Sequence, residues 1–211
     1  MRVMNPKSLL IAVVALLGAG AAVLYGTAGP VGNSGAACRA ASAAAQRLAP
    51  LARGEVAAVA VTKGSKPVPD LAFDGPNGEG KTLADFRGRT VLLNLWATWC
   101  APCRHEMPAL DKLQAELGGP DFEVVAVNVD TRNLDKPKAW LKEAGVKRLA
   151  PYADPQARVL QALQRSGHVV GLPTTLLIDP AGCEIAVLKG PADWASADAL
   201  RLVRAALARP G

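Results

Sequence analysis

The chain has 211 residues, half of them hydrophobic, enough for one ordinary domain with a proper core plus an N-terminal appendage. Its formal net charge is +6, yet the cations (Lys63, Lys66, Arg87, Arg89, Lys136, Lys138, Lys142, Arg158) are interleaved with acids. With no concentrated basic stripe, the composition excludes a nucleic-acid footprint.

In chain order, Arg2 and Lys7 precede an uncharged run from Leu9 to Tyr25, which Gly26 to Pro30 prolongs without charge. A helix needs about 20 residues to cross the hydrocarbon of a bilayer. Cations before the run and none directly after it put the N-terminus inside and the bulk of the chain outside. Residues 1–26 are therefore read as a signal anchor, the competing reading being a secretory signal removed after a small residue such as Ala28. Lipid attachment at Cys38 is disfavoured, because that cysteine lies well past the apolar run and Gly35 stands where a branched residue is expected. On either reading the domain is exported.

Residues 27–35, rich in Gly, Pro and Ser, read as a linker. Residues 36–60 form an expected helical arm, Ala-rich to Leu51 and closed by Pro50 and Gly54. An Ala-rich face buries little area, so such an arm has to dock on something. The main domain is expected over residues 61–211. Leu71-Ala-Phe73 and Lys81-Thr-Leu83 flank a strong turn and predict a β-hairpin. Val91 to Trp96 is a near-continuous apolar strand of the kind found in mid-sheet. A helix follows from about Cys100 to Leu117, with Met107, Leu110, Leu113 and Leu117 at helical spacing and a kink expected at Pro108. Phe122 to Val129 is a second buried strand, 134–144 and 155–165 are helices, and Pro173–Asp179 with Glu184–Leu188 make an antiparallel pair. Ser196 to Ala208 closes the domain as an amphipathic helix. This order implies an α/β fold, a mixed sheet with helices on both faces.

The chemistry concentrates at Trp99-Cys100-Ala101-Pro102-Cys103. Structural zinc would need two more ligands at short spacing, and Cys38 and Cys183 are single and distant. Covalent haem attachment needs His directly after the second Cys, whereas Arg104 stands there. A redox dithiol needs a thiolate favoured at a helix N-terminus, and a strand-turn-helix passage supplies one at Cys100. Pro102 suits the first helical turn, where its missing N–H costs nothing. Cys103, one turn in, is placed to attack a mixed disulfide formed by Cys100. Glu106, three residues past Cys103, is expected on the helix surface, either as a proton carrier for Cys103 or as a solvated glutamate. Arg104 and His105 are expected to be solvated. Gly171-Leu172-Pro173 opens a strand in a way that marks a candidate cis bond.

Val91 to Pro108 and Gly171 to Asp179 together resemble the TlpA/ResA/CcmG group of membrane-anchored, thioredoxin-like proteins, over roughly residues 67–208. Within the group the chain most resembles the alpha-proteobacterial TlpA proteins. The Ala-rich arm with Cys38, the Asp179-Pro-Ala-Gly-Cys183-Glu-Ile segment and Gly190-Pro-Ala-Asp-Trp-Ala-Ser196 carry that likeness. The resemblance implies a thioredoxin fold and a thiol–disulfide oxidoreductase, a reductase that needs no cofactor. It further implies an inner-membrane, single-pass protein with its catalytic domain in the periplasm. The implied partners are an upstream membrane electron donor and protein disulfides of cytochrome oxidase maturation: a Sco-type copper chaperone and the oxidase subunit bearing the binuclear copper (CuA) site. Cys100 matches the attacking thiol, Cys103 the resolving one, Pro173 the cis proline, and Glu106 the acid that follows the second cysteine. Cytoplasmic thioredoxins carry a buried Asp where this chain has Asn94, which cannot accept a proton, so acid–base duty falls to Glu106 or water. Rival readings are an oxidase on the same fold, reduction of apocytochrome c, and a copper-binding chaperone using both cysteines with His105 or His168.

Cys38 and Cys183 are read as a structural disulfide tying the arm to the turn after the Pro173 strand. Two buried thiols or a second redox pair are the alternatives.

Overall fold

The structure, a computed structural model, describes residues 38–208. The expected anchor and linker, and the first two residues of the expected arm, lie outside the described residues. Among the described residues no helix is long and apolar enough to cross a membrane.

Among the described residues, five α-helices and eight strands follow one another. Helix α1 (Arg39–Leu48) is followed by β1 (Ala60–Val61), β2 (Ala72–Asp74), β3 (Gly80–Thr82) and β4 (Thr90–Trp96). Then come α2 (Ala101–Leu117), β5 (Phe122–Asn128), α3 (Lys136–Glu143), β6 (Tyr152–Ala153), α4 (Arg158–Arg165), β7 (Thr174–Ile178), β8 (Glu184–Lys189) and α5 (Ala197–Leu207). The strands form one mixed sheet in the order β1-β8-β7-β4-β5-β6-β2-β3. This is the thioredoxin fold expected, and β4 sits at its centre, parallel to β5 and antiparallel to β7.

Every residue of β4 is buried, which explains its unbroken apolar run: both faces of the central strand are covered. Side chains alternate across a strand, so parity assigns each residue to a face. Leu92 and Trp96 pack with α2 (Met107, Leu110, Leu113) and α5 (Leu202, Val203). Val91, Leu93 and Leu95 pack on the other face with α4 (Val159, Leu163) and Phe73. Asn94 shares the parity of Leu92 and Trp96, so it points beneath α2, and β7 sets Thr175 directly beside it in register. Two polar side chains are thereby delivered into an otherwise apolar layer.

The short strand β6 escaped the sequence pattern because two residues carry no periodicity. Tyr152 fixes it: its ring packs edge-on against Phe73, with centroids 5.6 Å apart, and its hydroxyl donates to Glu123 at 2.6 Å.

The Ala-rich segment docks as its composition requires. Ala41, Ala44, Ala45 and Leu48 are buried in the same layer as α5 and β8. The segment does not stay α-helical past Leu48. Pro50 and Gly54 break it into 3-10 turns (Ala49–Leu51 and Gly54–Val56), and its end, Ala60–Val61, joins the sheet as an edge strand on β8. Gly54 is required here, since its φ is +57° and a Cβ would lie 2.0 Å from Asp198 Oδ2 of α5. Cys38, preceding α1, is joined to Cys183 in the β7–β8 turn with Cα atoms 5.6 Å apart.

Candidate active site

Strand β4 ends at Trp96, and a short turn carries the chain into α2. Asp130, just beyond β5, fastens that turn: its carboxylate accepts from Thr98 N at 2.9 Å and from Thr98 Oγ1 at 3.2 Å, and also from Asn128 Nδ2 at 2.8 Å. All three residues are buried, so the approach to the helix is held by satisfied polar contacts inside the protein.

Cys100 is the N-cap of α2, with extended backbone, and the helix proper begins at Ala101. Its Sγ accepts from Cys103 N at 3.3 Å. An orphan N–H at the first turn is thus aimed at the sulfur, and with the positive end of the helix dipole it favours a thiolate at Cys100 when the pair is reduced. Here the two cysteines are joined as a disulfide. Cys100 is 6% exposed and Cys103 is fully buried, so only the first sulfur offers a partner an approach. Trp99, beside it, is two-thirds exposed.

Pro173 precedes β7, and the Leu172–Pro173 bond is cis. Because β7 runs antiparallel to β4 with Thr174 opposite Leu95, Pro173 lies at the sheet end where β4 delivers the cysteine turn. Its carbonyl accepts from Gly190 N at 2.9 Å, which ties the loop after β8 to the same end.

Glu106 is not on the surface. It is only 2% exposed, and this corrects the expectation of a helix-surface residue. Glu106 falls on the buried stripe of α2 with Cys103, Met107 and Leu110, and the loop carrying Ala192 and Trp194 closes on its carboxylate. Glu106 Oε1 accepts from Asn94 Nδ2 at 2.8 Å, while Oε2 accepts from Ala192 N at 3.2 Å and from Trp194 Nε1 at 3.3 Å. The other Asn94 N–H goes to Thr175 Oγ1 at 2.9 Å. Burial raises the carboxyl to about 7 from an ordinary 4.5, and the three donors pull the other way without prevailing. Glu106 therefore changes protonation near neutral pH, one helical turn from Cys103. It also borders an open cleft of about 670 Å³ whose rim includes Glu55, His105, Lys112 and Asp193, so protons have a way out to solvent.

His105 lies on that rim, while His168 is held elsewhere, its Nδ1 in hydrogen-bond contact with Glu184, which also accepts from Thr62. Among the described residues, no cluster of three or more His, Cys, Asp or Glu is arranged to hold a metal ion.

Asp130 and Trp194 were missed as site residues in the sequence. Asp130 had a weak signal, a charged residue directly ending an apolar strand. Trp194 had none, since its role depends on a loop more than eighty residues from Glu106.

The redoxin family model matches residues 62–202. The thioredoxin-like protein YneN of Bacillus subtilis is 38% identical over 117 residues, covering 54% of this chain and 64%, just under two thirds, of that protein. The thiol-disulfide oxidoreductase ResA of Bacillus subtilis is 33% identical over 130 residues, covering 62% of this chain and 69% of ResA. A crystal structure of a thiol:disulfide interchange protein of the thioredoxin family from Chlorobium tepidum superposes with a TM-score of 0.56 at 28% identity, covering 71% of this chain and all of that one.

Proposed function

This chain belongs to the redoxin family, and from that premise we propose that it is a membrane-anchored reductase acting on protein disulfides in the periplasm. It is a thiol–disulfide oxidoreductase of the ResA type. The observation that carries the reading is the pairing of Cys100 at the cap of α2 with a buried Glu106 one turn past Cys103.

In the reduced protein the Cys100 thiolate attacks one sulfur of a partner disulfide. A mixed disulfide forms and the partner's other sulfur leaves as a thiolate, taking up a proton from water. Cys103 then gives its proton to the Glu106 carboxylate and attacks Cys100 Sγ. The Cys100–Cys103 disulfide closes and the second partner thiol is released, protonated in turn through Glu106 and the cleft. Two electrons have passed to the partner. They are restored by a dithiol donor protein in the membrane, which reverses the same two exchanges. Pro173 shapes the surface against which the partner lies, and Cys38–Cys183 holds the arm without taking part in turnover.

Within the family we read the chain as TlpA-like, with residues 1–26 as a single-pass inner-membrane anchor and residues 27–35 as the tether. The partners are a Sco-type copper chaperone and the CuA-bearing oxidase subunit, whose cysteines must be reduced before copper binds. What supports this is the arm with Cys38, the Asp179–Ile185 segment and the Gly190–Ser196 segment, which are the parts of the sequence most like that branch. The test is a comparison of second-order rates: fully reduced protein mixed with the oxidised Sco-type chaperone, the oxidised CuA domain and oxidised apocytochrome c. Reduction of the two copper-site proteins at least tenfold faster than apocytochrome c is expected. A preference for apocytochrome c would move the chain to cytochrome c maturation.

A further inference from the structure

We propose that Trp194 is a positioning residue for the exchange reaction, fixing the Glu106 carboxylate so that one defined oxygen takes the proton from Cys103. The proposal rests on the reading that Glu106 carries that proton, and it adds a residue outside the cysteine helix.

The Glu106 carboxylate has two acceptor sites on each oxygen. Trp194 Nε1 and Ala192 N together occupy both sites on Oε2, and Asn94 Nδ2 occupies one on Oε1. One acceptor site remains, on Oε1, and an incoming proton is directed there. Trp194 is 2% exposed, so its N–H has no recourse to water, and losing Glu106 would leave a buried donor unsatisfied. Indole and carboxylate thus hold each other in place.

The loop that carries Trp194 is itself anchored at the site. Gly190 turns the chain at φ +119° and donates to the Pro173 carbonyl. The clasp on Glu106 therefore begins at the proline on the sheet end where β4 delivers the cysteine turn. From β4 the uncharged Asn94 reaches Glu106, and Asn94 is itself held by the uncharged Thr175 of β7. The titratable and charged groups around it are Cys103, His105 and Lys112 of its own helix, Glu55 of the turn after α1 and Asp193 of the loop.

Each donor favours the charged carboxylate, so replacing Trp194 by Phe, which keeps the ring and deletes the N–H, raises the proton affinity of Glu106. For a charge-assisted bond at the long end of the normal range, the change is about tenfold, an upward displacement of about one pH unit. Two measurements test this. In the first, full-length reduced protein is mixed with excess oxidised glutathione, and the rate of Cys103 attack on the Cys100 mixed disulfide is followed from pH 5 to 9. Wild type is expected to show a limb near pH 7, Trp194→Phe the same limb about one unit higher, and Glu106→Gln no limb near pH 7, its rate rising only at more alkaline pH where the Cys103 thiol gives its proton to water. The double variant is expected to match Glu106→Gln. A limb near pH 7 that persists in Glu106→Gln overturns the proton-carrier reading itself. A limb absent in Glu106→Gln yet unmoved in Trp194→Phe overturns the role of Trp194 alone.

The second measurement needs no substitution at Trp194. In oxidised, 15N-labelled wild-type protein, where the cysteines do not titrate, the Trp194 indole N–H resonance is expected to shift with a midpoint near pH 7 and to lose that shift in Glu106→Gln. An indole resonance independent of pH between 5 and 9 refutes the proposal even if Trp194→Phe fails to fold.

Discussion

Replacing Glu106 by Gln should alter how stability depends on pH more than it alters stability at any single pH. The carboxyl of Glu106 rises from 4.5 in the unfolded chain to about 7 in the folded protein, chiefly because it is desolvated. A group whose folded-state pKa is raised binds its proton more tightly in the native state. It therefore contributes stability that is fully present below pH 4.5 and is lost as pH rises through about 7. At about 1.4 kcal/mol per pH unit, the interval corresponds to a loss of about 3 kcal/mol between pH 4 and pH 8. Asp154 and Asp179, also raised by burial, add to the fall in the same direction, so the difference between variant and wild type is the informative quantity. The assay is urea unfolding of the oxidised proteins at pH 4.5, 6, 7 and 8, with both disulfides intact. Glu106→Gln is expected to flatten the profile by about 3 kcal/mol across that range, so that it gains on wild type with every step toward alkaline pH. Parallel profiles would mean that Glu106 is solvated or ion-paired in the folded protein, and the reasoning on its proton chemistry would fall with it.

Other consequences are simpler to read. Converting both Cys38 and Cys183 to Ser opens a cross-link spanning 145 residues. Chain entropy puts the loss at up to about 5 kcal/mol, read as a lower urea midpoint, while reduction of insulin by Cys100 and Cys103 continues at 25 °C; loss of the exchange chemistry in a folded variant would make this bridge part of turnover. Leu48→Ala removes a fully buried side chain from the arm and should cost about 2–5 kcal/mol in the same unfolding assay. A change below about 1 kcal/mol would show that the arm is not docked in solution. Asp130→Ala strips the turn before Cys100 of the acceptor for Thr98 N and Thr98 Oγ1. It should cost about 1–3 kcal/mol and slow alkylation of Cys100, measured with iodoacetamide on the reduced protein.

Much of this architecture was legible in the sequence, for physical reasons that differ from element to element. The run Val91–Trp96 announced a central strand because both faces of it are covered, and apolar periodicity on α2 announced its buried stripe. The Cys100 cap was legible because the Trp-Cys-Ala-Pro-Cys pattern puts a proline where a helix starts. Asn94 was noted through the resemblance, as the residue standing where cytoplasmic thioredoxins carry a buried Asp, while its hydrogen bond to Glu106 of α2 needed the fold. What the sequence hid was tertiary. Glu106 looked like a surface residue because nothing local reveals that residues 190–194 fold over it, and the donors Ala192 and Trp194 meet it only in three dimensions. Likewise the close of the arm could not be read as an edge strand, since two residues gain their β-conformation from β8 and not from their own pattern.

Cys100 is the sulfur proposed to attack. Full-length Cys103→Ser protein, reduced and then treated with a disulfide-bonded peptide, should accumulate a mixed disulfide, and peptide mapping by mass spectrometry locates it. One adduct is expected, on Cys100, with none formed by Cys100→Ser protein under the same conditions. An adduct on Cys38 or Cys183, or an equal yield from Cys100→Ser protein, would contradict it.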